Sequence, residues 1–139
     1  MLVVPRTVRD ALLAHARDGA PEEVCGVLGG VEDGERARVT DHRRVPNVAA
    51  TPETRYELDP AEQLTAMGAI EEAGGAVVGF YHSHPRGPPR PSATDRAEAT
   101  WAGARYVIVV PGEESVGCWR WTGEDFERED VRVGASESR

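Results

Sequence analysis

Apolar residues recur at Val8, Leu12 and Leu13 between polar neighbours, a helical spacing that predicts an amphipathic helix over residues 6–18, stopped by Gly19 and Pro21. The period then shortens. Residues 24–28 read as a compact apolar strand ended by Gly29-Gly30, and residues 35–45 as a second, more exposed strand after the Glu32-Asp33-Gly34 turn. A short strand at 56–58 precedes Asp59, which caps a helix with Pro60 at its first position, Leu64, Met67 and Ile70 on one face, and Gly74-Gly75 at its end. Residues 76–81, Ala-Val-Val-Gly-Phe-Tyr, form a buried strand, and a helix opens at Ser92 and runs through Trp101. Strands over 105–110, 116–122 and 126–133 complete the chain, with a frayed tail at 134–139. Of the two tryptophans in the strand at 116–122, one of Trp119 and Trp121 is expected in the core and the other at a rim. Strands and helices alternate without βαβ regularity, so the expected fold is α/β, a mixed sheet flanked by helices.

The densest chemistry lies just after the strand at 76–81. His82 and His84 sit two apart at its C-terminal end, so they share a face and can converge on one ion while Ser83 points away. Asp95 can supply a third ligand. Pro85, Pro88, Pro89 and Pro91 stiffen the connection that brings it back, and Ser92-Ala93-Thr94-Asp95 opens the following helix. Two imidazoles and a carboxylate leave one position of a tetrahedral zinc open to water, which is the arrangement of a hydrolytic site. Ser92 and Asp95 also match a helix capping box, and the two roles are compatible within one helical turn.

Length and charge narrow the alternatives. With 139 residues the chain is read as one domain spanning 1–139, and its net charge of −8 argues against nucleic acid as a partner. All 16 basic residues are arginine, so no side-chain amine is available for isopeptide attachment; a GC-rich genome or a salty cytoplasm is sufficient cause. Cys25 and Cys118 are too few for a disulfide framework, no stretch reaches transmembrane length, and the start lacks the features of a signal peptide. Those features together lead to the expectation of a cytoplasmic protein with no membrane partner.

A zinc hydrolase also needs a carboxylate to move protons, and Glu23, at the head of an apolar strand, is the best candidate. Residues 21–30, Pro-Glu-Glu-Val-Cys-Gly-Val-Leu-Gly-Gly, followed by His82-Ser83-His84-Pro85 and Ser92-Ala93-Thr94-Asp95, resemble the JAMM (MPN-plus) zinc metalloprotease family over most of the chain. Asn47 and residues 52–60 are also similar to family members. The resemblance implies a cytidine-deaminase-like JAMM/MPN fold, zinc held by His82, His84 and Asp95, Glu23 as general acid/base to a zinc-bound water, and Ser92 as an oxyanion donor. The length matches the minimal prokaryotic members.

On that resemblance the expected activity is an isopeptidase that releases a ubiquitin-like modifier from target lysines, as archaeal desampylases do. The alternative is a peptidase that trims a ubiquitin-like sulfur-carrier protein, for example by releasing cysteine from its C-terminus. A non-haem iron oxygenase would use the same ligand types, but this chain offers helices and a nearby base rather than a β-barrel. A zinc deaminase needs a Pro-Cys-x-x-Cys signature that is missing. A pure binding module would be indifferent to loss of the Glu23 carboxylate. The pattern leaves open the oligomeric state, the natural modifier and any redox role of Cys25 or Cys118.

Overall fold

Val8, Leu12, Leu13 and Ala16 fall on one stripe of the first helix, α1 (Arg6–Gly19), and all four are buried. Each leucine so buried contributes about 1.5–3 kcal/mol relative to exposure, enough to hold the helix against a sheet. In the computed structural model, which describes residues 1–134, that sheet has eight strands. They are β1 (Leu2–Pro5), β2 (Cys25–Asp33), β3 (Arg36–Val45), β4 (Ala76–Ser83), β5 (Arg105–Val110), β6 (Ser115–Trp121), β7 (Phe126–Glu129) and β8 (Val131–Gly134). Two further helices are α2 (Pro60–Glu72) and α3 (Ala93–Glu98).

The strand order is β7-β6-β5-β4-β2-β3-β1-β8, mixed in direction, with β4 parallel to β5 and β2 antiparallel to both β3 and β4. Residues of α1 share one core cluster with Leu28, Val78, Tyr81 and Val107, whereas Ala66 and Ile70 of α2 share another with Val27, Phe80, Tyr106 and Trp121. The two helices therefore cover opposite faces of the sheet, and β4 runs through its middle.

Several expectations are corrected here. β1 was not foreseen: its four residues are too few for a periodic signal, but they pair with β3 and β8. Gly29-Gly30 does not end β2. The strand continues to Asp33, and its register shifts at these glycines, where a Cβ on Gly30 would collide with the Arg38 carbonyl oxygen. The short strand at 56–58 is a single bridge between Leu58 and Asn47. On α2 the inward stripe runs through Ala66 and Ile70 with Met67 beside it, and Leu64 is 71% exposed. Trp119 and Trp121 are both buried, as residues two apart on one face of a strand must be when that face is covered. The expected strand over 126–133 is broken at Asp130 into β7 and β8, which form the two edges of the sheet, so the sheet curls until its edges meet within one residue. Gly134, assigned to the frayed tail, closes β8, and the rest of that tail lies outside the described residues.

Candidate active site

β4 carries His82 and leads straight into His84, and its pairing on both sides holds the register to its last residue. Cys25 lies opposite His82 on β2, and Ile108 opposite it on β5. Beyond the strand end, the His84 amide donates to the Val109 carbonyl at 2.9 Å, so the backbone stays extended and the two imidazoles share a face. Ser83, on the other face, is fully buried; its hydroxyl accepts from the Val24 amide at 2.8 Å, and its own amide donates to the Val24 carbonyl at 3.0 Å. The serine between the histidines thus ties the end of β4 to the start of β2.

α3 supplies the third group. It has six residues and ends at Glu98, short of the expected Trp101, with Ser92 as its N-cap. The Ser92 hydroxyl accepts from the Asp95 amide at 3.0 Å, and Asp95 Oδ2 accepts from the Ser92 amide at 3.0 Å, a complete capping box. The Asp95 carboxylate is thereby held at the base of the helix, facing the strand end. Its Oδ2 lies 3.2 Å from His82 Nε2 and 3.0 Å from His84 Nε2, and the two nitrogens are 3.2 Å apart.

Three buried ligand atoms at the corners of so small a triangle fit a metal ion. Zinc bonds of about 2.0–2.1 Å place neighbouring tetrahedral ligands about 3.3–3.4 Å apart, close to these separations. Protonation points the same way. His84 Nδ1 lies 2.9 Å from the Pro88 carbonyl, an acceptor only, which keeps the proton on Nδ1 and turns the Nε2 lone pair toward the cluster. Burial lowers the pKa of His82, favouring the neutral ring that a metal needs. Burial alone would raise that of Asp95, but its contacts with the two imidazoles and the hydrogen bond from the Ser92 amide outweigh it and hold the carboxylate ionised.

Glu23 stands two residues before β2 rather than at its head, in the turn that follows α1. It is buried, and its Oε1 has no hydrogen-bond partner among the described residues. Burial, opposed by His84 and reinforced by the Asp95 charge, raises its pKa to about 7, so it can hold or release a proton near neutrality. Glu23, Glu53, Thr54, His84, Pro88 and Ser92 line one open groove. In that groove the Ser92 oxygen is committed as acceptor in the cap, while its O–H donates to no group among the described residues. All five residues singled out in the sequence, Glu23, His82, His84, Ser92 and Asp95, are therefore in one place.

Two features of the site had no sequence signal of their own. Tyr56 stacks on the His82 ring, centroids 4.1 Å apart and planes inclined by 18°, and closes one side of the cluster. The Pro88 carbonyl fixes the His84 tautomer, so the proline-rich connection orients that imidazole besides spacing Asp95.

Residues 5–122 match the family model described as prokaryotic homologs of the JAB domain. The chain is 49% identical to the desampylase of Haloferax volcanii over 90% of its own length and 91% of that protein. It is 40% identical to the CysO-cysteine peptidase of Mycobacterium tuberculosis, over 78% of its own length and 73% of that protein. Among solved structures, protein DSY2949 from Desulfitobacterium hafniense superimposes with a TM-score of 0.89 at 30% identity, covering 97% of this chain and 94% of that one.

Proposed function

From the premise that this chain belongs to the prokaryotic JAB-domain family and is one of its hydrolases, we propose that it is a zinc-dependent isopeptidase. Its substrate in this reading is a ubiquitin-like modifier joined through its C-terminus to lysines of target proteins. The observation that carries the reading is the buried Glu23 Oε1, without a hydrogen-bond partner among the described residues, in the same groove as His84 and Ser92. A binding site has no use for a desolvated carboxylate poised near neutral pH, whereas amide hydrolysis needs one.

Zinc held by His82, His84 and Asp95 would supply a Lewis acid that polarises the scissile carbonyl and lowers the pKa of water to about 7. The chain's own groups do the rest. The modifier's flexible tail lies extended along the groove between Thr54 and Pro88, adding its backbone to the wall of the site. Glu23 accepts a proton from the attacking water at Oε1 and later delivers it to the departing lysine amine. The Ser92 O–H donates to the oxygen on which charge develops, a contribution of about 3 kcal/mol for a donor of this kind. Tyr56 and the buried strand end keep bulk water from the cluster. The free thiols of Cys25 and Cys118, both pushed up to about 12 by burial, stay protonated and suit a reducing cytoplasm.

The likeness to the mycobacterial CysO-cysteine peptidase favours one second reading, removal of a C-terminal cysteine from a ubiquitin-like sulfur carrier. The two are separated by incubating the zinc-loaded protein with a lysine-linked modifier conjugate and with a cysteine-extended carrier, each with and without a chelator. Chelator-sensitive cleavage of the conjugate is expected; cleavage of the carrier alone would replace the first reading by the second.

A further inference from the structure

Between β3 and α2 the chain spends residues 46–59 on a loop with almost no regular structure, yet its polar groups are tied at nearly every point. Asn47 is the knot. Its Nδ2 donates to the Glu23 carbonyl at 2.8 Å and to the Arg55 carbonyl at 3.0 Å, while its Oδ1 accepts from the amides of Ala49 and Glu57, each at 3.0 Å. A primary amide can make four hydrogen bonds, and this one makes all four, every one to backbone. The two carbonyls need donors and the two amides need an acceptor, so the orientation of the side chain is unambiguous. The loop also grips Glu23 from the other side, since the Glu23 amide donates to the Pro52 carbonyl at 2.7 Å.

Both polar groups of the Glu23 peptide are therefore fixed by this one loop, although Glu23 lies outside any strand or helix. The neighbouring residue is fixed independently, because Val24 is bonded to Ser83. Without the loop, Glu23 would be held only through its neighbours, Glu22 bonded to the Gly19 carbonyl at 2.9 Å and Val24 to Ser83, and no bond would fix its own backbone groups. The same loop carries Tyr56 onto the His82 ring and places Glu53 and Thr54 in the groove wall.

We propose that Asn47 is a positioning residue for the proton-transfer step, a side chain that folds the 46–59 loop through its oxygen and aims Glu23 through its nitrogen. The inference rests on Glu23 being the general acid/base. Separate functions for the two ends of one amide make the idea testable with an isosteric change. Asn47→Asp keeps the acceptor for Ala49 and Glu57 but cannot donate to Glu23 or Arg55, whereas Asn47→Ala loses all four bonds. A displacement of about 1 Å at a reacting group costs roughly 100-fold in rate.

The test uses the zinc-loaded full chain and a ubiquitin-like protein joined through its C-terminal carboxyl to the lysine ε-amine of a fluorescent peptide, with Glu23→Gln run alongside. For Asn47→Asp the expected result is a kcat lower by about 10- to 100-fold, with KM within about twofold and zinc stoichiometry unchanged. By NMR, the Ala49 and Glu57 amides should stay protected from exchange in Asn47→Asp and lose protection in Asn47→Ala, while the Glu23 carbonyl resonance shifts in both. An Asn47→Asp protein with wild-type kcat, beside an inactive Glu23→Gln, would overturn the positioning role and leave the base intact. An active Glu23→Gln would overturn the base itself. Should Asn47→Asp fail to fold, Asn47→Ala decides: a fall in kcat with KM retained supports the proposal, and a rise in KM alone sinks it.

Discussion

Two polar clusters are buried in this protein, and they are built on opposite principles. At the curled seam of the sheet, Arg105 is 1% exposed and every nitrogen of its guanidinium has a partner: Nε lies 3.0 and 3.1 Å from the two Glu129 oxygens, Nη1 3.0 Å from Glu32 and Nη2 3.5 Å from the Glu35 carbonyl. Arg120 adds a further bond to Glu129 at 3.2 Å. In the groove, by contrast, two imidazole nitrogens and a carboxylate oxygen crowd together, and Glu23 Oε1 and His82 Nδ1 have no partner among the described residues. Desolvation is costly in both places, but only the first cluster offsets it from within the chain. Complete pairing marks a structural cluster, whereas convergence without pairing marks a site that waits for something from outside.

The sharpest way to break this contrast is to remove the Glu23 carboxylate while keeping its shape. Glu23→Gln should retain zinc, measured by metal analysis, and lose cleavage by about 100- to 10,000-fold, the range typical of a general acid/base. Because the raised pKa of Glu23 reflects unfavourable burial of its charge, the same variant should unfold no sooner than wild type above neutral pH. A loss of stability instead would place Glu23 with the structural cluster.

Arg105→Met is the converse experiment. It removes the buried partner of Glu129, which keeps Arg120 and the N-terminal amine, and of the part-exposed Glu32, and should destabilise the fold by about 1.5–3 kcal/mol in urea titrations, while activity per folded molecule stays unchanged. Loss of activity out of proportion to the unfolded fraction would mean that the two clusters are coupled through β4 and β5.

The smallest effect concerns a group in neither cluster. His15 Nδ1 lies 2.8 Å from the Tyr81 hydroxyl, and burial, then the Arg44 charge, lowers its pKa to about 4 from 6.5. Between those values the unfolded chain binds more protons at this residue than the folded one. Its contribution to stability is therefore complete above pH 6.5 and fades as the pH falls toward 4; burial of His42 acts in the same sense. His15→Gln should flatten the acid limb of the urea midpoint plotted against pH, and an unaltered slope would assign that limb to the carboxylates instead.

Much of the site was legible because its parts are local. His82 and His84 are set by the period of a strand, and Ser92 with Asp95 by one turn of a helix, so spacing alone brings each pair together. Glu23 was legible as an acid in an apolar context, although its position before β2 rather than on it was not. Arg105 went unrecognised because its partners lie at 32 and 129, separations that no local pattern encodes. Gly29-Gly30 misled for a related reason. Glycine signals either a chain end or a close backbone approach, and the neighbour that makes it the latter, Arg38, belongs to another strand. Trp119 and Trp121 erred differently, since the period-two rule already puts them on one face.

The sequence by itself determined the kinds of chemistry present and the short-range geometry of each element. Side-chain direction along a strand or a helical turn follows from backbone periods of 2.0 and 3.6, which need no partner. What only the tertiary structure decided was juxtaposition. The sheet order placed the turn before β2 beside the end of β4, and the 46–59 loop fixed Glu23 there through Asn47 and Pro52. The curl of the sheet also brought β7 and β8 together and gave Arg105 its acids. Such contacts depend on which apolar faces bury one another, a choice made by the whole chain at once, so no window of the sequence contains it.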